Sequence, residues 1–124
     1  MTGTAAAPAG PVRALVLAKA PVAGRVKTRL GADVGLERAA ELAAAALLDT
    51  VEACTTAYGA EHCHLALAGD LADAVAGPEL LAATRAWQLH PQRGGGFDER
   101  LAAAHADVAT SGPGPVVQVG MDTP

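Results

Sequence analysis

A short apolar run that ends in a basic loop restricts the possible folds of this chain more than any other feature. Residues 12–19 include the uninterrupted apolar stretch 14–18, which suits one buried strand. Residues 20–28 follow as a loop, since Pro21 and Gly24 interrupt regular structure. Three basic side chains alternate in and just beyond this loop: Arg25, Lys27 and Arg29. The sequence therefore predicts a strand that leads directly into an anion-binding loop.

The positive charge of the chain is concentrated at its start, although the net charge is −4. The cations that precede the first acidic residue, Asp33, are Arg13, Lys19, Arg25, Lys27 and Arg29. Proteins that bind duplex nucleic acid or anionic membranes usually spread their cations over a face or an arm. The expected partner is therefore a small polyanion, with no DNA, RNA or membrane involved.

Length and cysteine content predict one domain in the cytoplasm. The 124 residues suit a single core, and we expect a flexible leader over 1–11 followed by one domain over 12–124. The leader lacks the pattern of a signal peptide, and no long uncharged apolar run could span a bilayer. Cys54 and Cys63 match no CxxC or zinc-knuckle spacing, and two cysteines cannot staple a domain of this size, so both are predicted to be reduced, buried thiols.

The pattern alternates short strand-like runs with longer helical ones. Strands are predicted at 12–19, 62–68, 86–90 and 116–120, helices at 36–57 and 97–110, and short helical turns, interrupted at Gly77 and Pro78, at 71–84. Asp33 and Gly59 are placed to cap the long helix. On the second helix, the apolar face includes Phe97 and Val108. This alternation predicts an α/β fold of three layers, with a mainly parallel sheet between helices.

Ligands of such sheets bind beyond the carboxyl ends of the strands, where Lys19, the glycines of residues 94–96 and Asp122 are expected to meet. The basic loop is not a Walker A loop, because Val26 stands before Lys27, and it is not a dinucleotide fingerprint. A solvated basic turn is the alternative. Placement directly after a buried strand favours phosphate binding by Arg25, Lys27 and Arg29, with Lys19 at the same edge of the sheet.

Histidines offer a weaker signal for a metal. His62 and His64 alternate in a predicted strand, which would point both rings the same way and make half of a zinc site. Because no third ligand lies nearby, packing or surface roles are the favoured interpretation. His90 and His105 have no recognisable nucleophile partner, and Trp87 is expected in the core.

Three segments together resemble a known family. Residues 18–30, AKAPVAGRVKTRL, look like the opening signature of the bacterial radical-SAM/selenodomain-associated glycosyltransferases, which are GT-A-type nucleotide-diphospho-sugar transferases. A looser match covers residues 92–101, and residues 119–124 are similar to the family's Gly-x-Asp-x-Pro. The resemblance implies a GT-A-like fold. Because members of that family continue past the equivalent of Pro124, it also implies that the chain is truncated.

The resemblance also implies a function and site residues. Gly24, Arg25, Lys27 and Arg29 would cradle the phosphates of a nucleotide-diphospho-sugar. Asp122 would bind Mg²⁺ or Mn²⁺ or the ribose, although from the residues alone it reads as a turn cap. A possible base or ribose loop comprises Gln92, Gly94 and Gly96. Glycosyl transfer is the implied reaction, while nucleotidyl transfer from an NTP to a small phosphorylated acceptor, or non-catalytic nucleotide binding, stays open.

Overall fold

The computed structural model describes residues 10–26 and 28–121, apart from the side chains of Thr28 and Arg29. The strands are β1 (Arg13–Lys19), β2 (Cys63–Ala68), β3 (Gln88–Pro91) and β4 (Val116–Gly120). The helices are α1 (Thr28–Val34), α2 (Leu36–Tyr58), α3 (Gly77–Ala83) and α4 (Phe97–Ala109). Short 3₁₀ turns span Ala60–His62 and Leu71–Asp73. The predicted alternation of strands and helices is thus confirmed.

The four strands form one parallel sheet in the order β3-β2-β1-β4. The chain moves from β1 through β2 to β3 in one direction and then returns to place β4 on the other side of β1. The strand order therefore reverses between β1 and β4. In open α/β sheets, the crevice beyond the strand ends at such a reversal is the usual ligand site.

Helices cover both faces of the sheet, so the predicted three-layer architecture is confirmed. Even-numbered residues of β1, such as Val16, pack in the core beneath α2, which contributes Leu47 and Val51. Odd-numbered Leu15 instead packs with Ala104 and other residues of α4 on the opposite face. This alternation follows from the two-residue period of a strand, which sends successive side chains to opposite faces.

The long helix α2 carries most of the helical core, because its buried alanines let it lie close to the sheet. It ends as predicted at Gly59, which has a φ of 87° and donates its N–H to the Thr55 carbonyl oxygen. The predicted cap at Asp33 is wrong, because Asp33 lies within α1 and α2 starts after Gly35. None of the described helices is both long and apolar enough to cross a membrane.

Several boundaries differ from the sequence prediction. The short helix α1 was not predicted, since seven residues give too little periodicity to recognise. Residues Gly77 and Pro78 begin α3 and do not interrupt helical structure, because proline is tolerated in a first turn. Strand β2 begins at Cys63, one residue later than expected, and β3 is shifted to Gln88–Pro91.

Candidate functional site

The loop after β1 is a defined turn. The N–H of Arg25 donates to the carbonyl oxygen of Val22 over 2.9 Å, closing a four-residue turn. Gly24 is the third residue of that turn and has a φ of 83°, as a type II turn requires. The structure therefore gives Gly24, predicted as a phosphate-binding residue, a conformational reason to be glycine. We call residues 20–28 the basic loop.

A buried valine anchors the basic loop. Val26 is only 5% exposed and packs with Ala40 and Ala43 of α2. At the start of the loop, the Pro21 carbonyl oxygen accepts a 2.9 Å hydrogen bond from the N–H of Val75. The loop is thus held at both ends while Arg25 stays exposed. Sequence reasoning missed this anchor. The one signal for it in the sequence is that Val26 is apolar although it stands between Arg25 and Lys27.

Two of the predicted phosphate-binding cations share a pocket at the carboxyl end of β1. This basic-loop pocket has a cavity volume of about 220 Å³ and is lined by Lys19, Ala20, Val22, Arg25, Ala68 and Gly69. The small side chains leave room, and the ammonium and guanidinium groups favour an anion. Lys27 and the side chain of Arg29 lie outside the described residues.

A second pocket lies on the α4 side of the same strand end, where the strand order reverses. This Phe97 pocket also has a cavity volume of about 220 Å³. Its lining includes Leu17, Lys19, Gln92, Phe97, Arg100 and Met121. Lys19 borders both pockets, so one ligand of sufficient length could occupy both.

The loop between β3 and α4 is fastened to the sheet through Gln92. Its Nε2 donates to the carbonyl oxygens of Ala18, over 2.9 Å, and Ala66, over 3.1 Å. These bonds use both amide protons, so only Oε1 is left to accept a hydrogen bond from a ligand. The loop then approaches α4 closely at Gly94, where a Cβ would lie 2.7 Å from the Cβ of Glu99.

Gly96, the third residue of the predicted base or ribose loop, directly precedes α4. Among the described residues, no atom beyond its two chain neighbours lies within 4 Å of the position that its Cβ would take. The structure therefore brings Gln92 to the Phe97 pocket and Gly94 against α4, but packing imposes no need for glycine at Gly96. Asp122, the predicted metal ligand, lies outside the described residues.

Arg13 belongs to the early basic cluster but has a structural role. Its side chain is 9% exposed, and it lies at the start of β1, away from the basic loop. The guanidinium donates to the carbonyl oxygens of Pro113 over 2.8 Å and Ser111 over 3.2 Å. Arg13 thus fixes the connection between α4 and β4, and it does not join the other cations at the candidate site.

His64 and His90 form a packing pair that sequence reasoning did not recognise. His64 is fully buried in β2, and its Nδ1 lies 2.9 Å from Nε2 of His90. Burial, followed by the nearby His90 and Arg13, lowers the pKa of His64 to about 4. His62 lies in the preceding turn, with its Nδ1 2.9 Å from the Tyr58 carbonyl oxygen.

The structure offers no alternative metal centre in the part of the chain that it describes. No group of three His, Cys, Asp or Glu residues within that part could hold a metal ion. Cys54 and Cys63 are buried, free thiols, and burial, with Cys54 and Glu61 nearby, raises the pKa of Cys63 to about 12. Both cysteines therefore belong to the core, as expected from their spacing.

Comparison with protein families identifies a relationship for the larger part of the chain. Residues 50–124 match the family described as "Uncharacterized protein conserved in bacteria (DUF2064)". The chain belongs to the DUF2064 family. The matched residues include Gln92, Phe97 and Arg100 of the Phe97 pocket. The basic loop lies before the matched residues in the sequence. A comparison with curated proteins found no match.

A solved structure extends the comparison to the basic loop. The DUF2064 chain is similar to a protein from Desulfovibrio desulfuricans G20 described as a "putative nucleotide-diphospho-sugar transferase". The match has a TM-score of 0.65 and 26% sequence identity, and it covers 91% of this chain. The chain spans 49% of that protein. This likeness confirms the GT-A-like fold, and with the family match it supports the GT-A-like superfamily.

Proposed function

We propose that this DUF2064 chain binds the donor of a glycosyltransferase reaction, and that the donor is a nucleotide-diphospho-sugar. The observation that carries the proposal is the anchored basic loop at the carboxyl end of β1, where Lys19 and Arg25 border one pocket. The similar protein from Desulfovibrio desulfuricans G20 supports the same donor class. Within this superfamily, residues 18–30 favour the radical-SAM/selenodomain-associated glycosyltransferases as the nearest group.

The cations suit the leaving group of this reaction. In glycosyl transfer, the bond between the sugar C1 and the diphosphate breaks, and the diphosphate leaves with the electron pair. The acceptor hydroxyl bonds to C1 and releases its proton. Positively charged groups that face the leaving diphosphate stabilise the charge that develops on it. We assign this role to Lys19 and Arg25, with Gly24 shaping the turn and Lys27 and Arg29 as further phosphate ligands.

A divalent cation would neutralise the same diphosphate. Asp122 follows Met121, which borders the Phe97 pocket, and we propose its carboxylate as a ligand of Mg²⁺ or Mn²⁺. Such hard cations prefer carboxylate and phosphate oxygens and usually retain several waters, so one protein carboxylate plus the donor is an adequate site. The loop with Gln92, Gly94 and Gly96 is proposed to contact the ribose or base.

Calorimetric titration tests the phosphate role of the basic loop. The ligands are UDP, GDP and CDP with Mn²⁺, and the variants are Arg25→Ala and Lys27→Ala. Each variant is expected to weaken binding of the preferred nucleotide by about tenfold or more, since each removes a charge-assisted hydrogen bond. Arg85→Ala is the matched control, because Arg85 is exposed and precedes β3, away from this edge.

The same titrations have outcomes that contradict the assignment. Unchanged affinity in both loop variants would show that the basic loop does not bind the phosphates of the nucleotide. Asp122→Asn is expected to abolish the dependence on Mn²⁺, and unchanged dependence would exclude Asp122 as the ligand. A clear preference for nucleoside triphosphates over diphosphates and nucleotide-sugars would favour nucleotidyl transfer as the reaction.

A further inference from the structure

The Phe97 pocket differs in chemistry from the basic-loop pocket beside it. The basic-loop pocket combines two cations with small residues and suits a compact anion. The exposed lining of the Phe97 pocket is mostly apolar, with Leu17, Phe97 and Met121 among its residues, and its polar side chains are Lys19, Gln92 and Arg100. A mostly apolar pocket with a few convergent polar groups is typical of sites for planar organic ligands.

Phe97 belongs to none of the buried apolar clusters formed by the described residues. Its side chain is 60% exposed in the first turn of α4, although the apolar pattern of that helix predicts it on the buried face. Only Ala104 and Val108 of that helix are buried. An aromatic ring that borders a pocket at the end of a parallel sheet offers a flat apolar surface to a ligand.

Arg100 lies beside this ring. It is three residues after Phe97, so both side chains project from the same side of α4, and both border the pocket. A guanidinium plane stacks on aromatic rings and also donates hydrogen bonds to oxygen. Gln92, held by its two bonds to the strand carbonyls, presents an acceptor. Together these groups can hold both the face and the N–H edge of a nucleobase.

We infer that the Phe97 pocket receives the nucleoside of the donor, with the base against Phe97 and Arg100. The diphosphate then lies beside Lys19, which borders both pockets, and extends to Arg25 in the basic-loop pocket. This inference rests on the proposed function, since it assigns the parts of one donor to the two pockets. It adds Phe97 and Arg100 to the candidate site as residues that set the preference for the base.

Parallel titrations with a nucleotide and with pyrophosphate test this assignment. The full chain is titrated, with Mn²⁺ present, with inorganic pyrophosphate and with whichever of UDP, GDP and CDP it binds best. Phe97→Ala is expected to weaken the nucleotide about tenfold, because a stacked base loses its platform, and to leave pyrophosphate affinity unchanged. Phe97→Leu should give an intermediate loss. Arg25→Ala should weaken both ligands.

Controls separate this inference from the proposed function. Leu81→Ala removes another exposed apolar side chain, in α3, and should change neither affinity, while circular dichroism verifies folding of each variant. If Phe97→Ala leaves nucleotide affinity unchanged while Arg25→Ala weakens it, the nucleoside lies elsewhere and the inference is wrong. An equal loss of both ligands in Phe97→Ala also overturns it. If the parent chain binds neither ligand, the proposed function fails with it.

Discussion

His64 shows how a single side chain can couple this fold to pH. It lies fully buried in β2, its Nδ1 is shared with His90 of β3, and its Nε2 has no hydrogen-bond partner among the described residues. A charged ring in this position would lose its hydration and face the Arg13 guanidinium. The fold therefore holds His64 neutral.

We predict that acid destabilises the chain through His64. Its pKa is about 4 in the folded state, against an ordinary value of 6.5, so the unfolded state binds a proton first as pH falls. The contribution of His64 to the free energy of unfolding is fully present above pH 6.5, declines between pH 6.5 and about pH 4, and is lost below that. The expected loss is about 3 kcal/mol from this one group. Urea denaturation at intervals of pH measures it.

The variant His64→Asn isolates this contribution from that of the carboxylates. It keeps a polar side chain opposite His90 but cannot titrate, so its stability should fall less steeply across the same pH interval. His105→Asn, which replaces a histidine of α4 near Gln118, is the control and should keep the steep slope. An unchanged slope in His64→Asn would assign the acid sensitivity to other groups.

At the scale of elements, the basic loop depends on a turn that only a few residues can form. The φ of 83° at Gly24 is costly for a residue with a Cβ. Val26 anchors the loop from the other side of Arg25 by packing on α2. The position of the Arg25 side chain therefore follows from two uncharged neighbours.

We predict that Gly24→Ala destabilises the chain by about 1–2 kcal/mol, the cost of a left-handed alanine. Gly24→Asn should cost less, because asparagine tolerates this conformation better. Gly95→Ala is the matched control, since Gly95 is exposed, has a φ outside the left-handed region and has room for a Cβ. Equal losses at Gly24 and Gly95, measured by chemical denaturation, would contradict a specific role for the turn.

The elements that sequence could predict are those with a strong local apolar pattern. The strand predicted at 12–19 was recognised from its uninterrupted apolar run, and the helix predicted at 36–57 from apolar residues that recur every three or four positions. The helix α1 has too few residues for such a signal. Phe97 fits the apolar face of α4, but its position in the first turn leaves it at the pocket and beyond the core.

The candidate site was partly predictable for a similar reason. The parallel topology brings the ends of β1 and β3 to one edge, so Lys19 and Gln92 could be placed together from the order of elements alone. The anchor at Val26 and the pair His64 and His90 depend on contacts between elements distant in sequence. Local patterns carry no information about such contacts.

Across the whole molecule, the two helical layers contribute unequally to the core. Helix α2 buries eight residues, among them Leu47 and Val51, whereas α4 buries only Ala104 and Val108. Burial of apolar surface supplies most of the free energy of folding. The layer with fewer buried residues should therefore open at a lower cost than the rest. The Phe97 pocket, which α4 borders, would lie in this less stable layer.

We predict that α4 unfolds locally while α2 and the sheet stay folded, which native-state hydrogen exchange can measure residue by residue. The amides of α4 should exchange at a lower opening free energy than those of α2 and β1. Val108→Ala should accelerate exchange in α4 and leave α2 protected, because Val108 packs on the α4 face of the sheet and not in the core beneath α2.

Leu47→Ala provides the comparison. Leu47 is fully buried in the core beneath α2, and its truncation should lower the global stability by about 2–5 kcal/mol. Exchange should then accelerate in every element whose amides open only by global unfolding. If Val108→Ala accelerates α2 and α4 amides equally, the molecule opens as one cooperative unit. The pocket beside Phe97 would then be as rigid as the core, and ligand binding would protect α4 no more than α2.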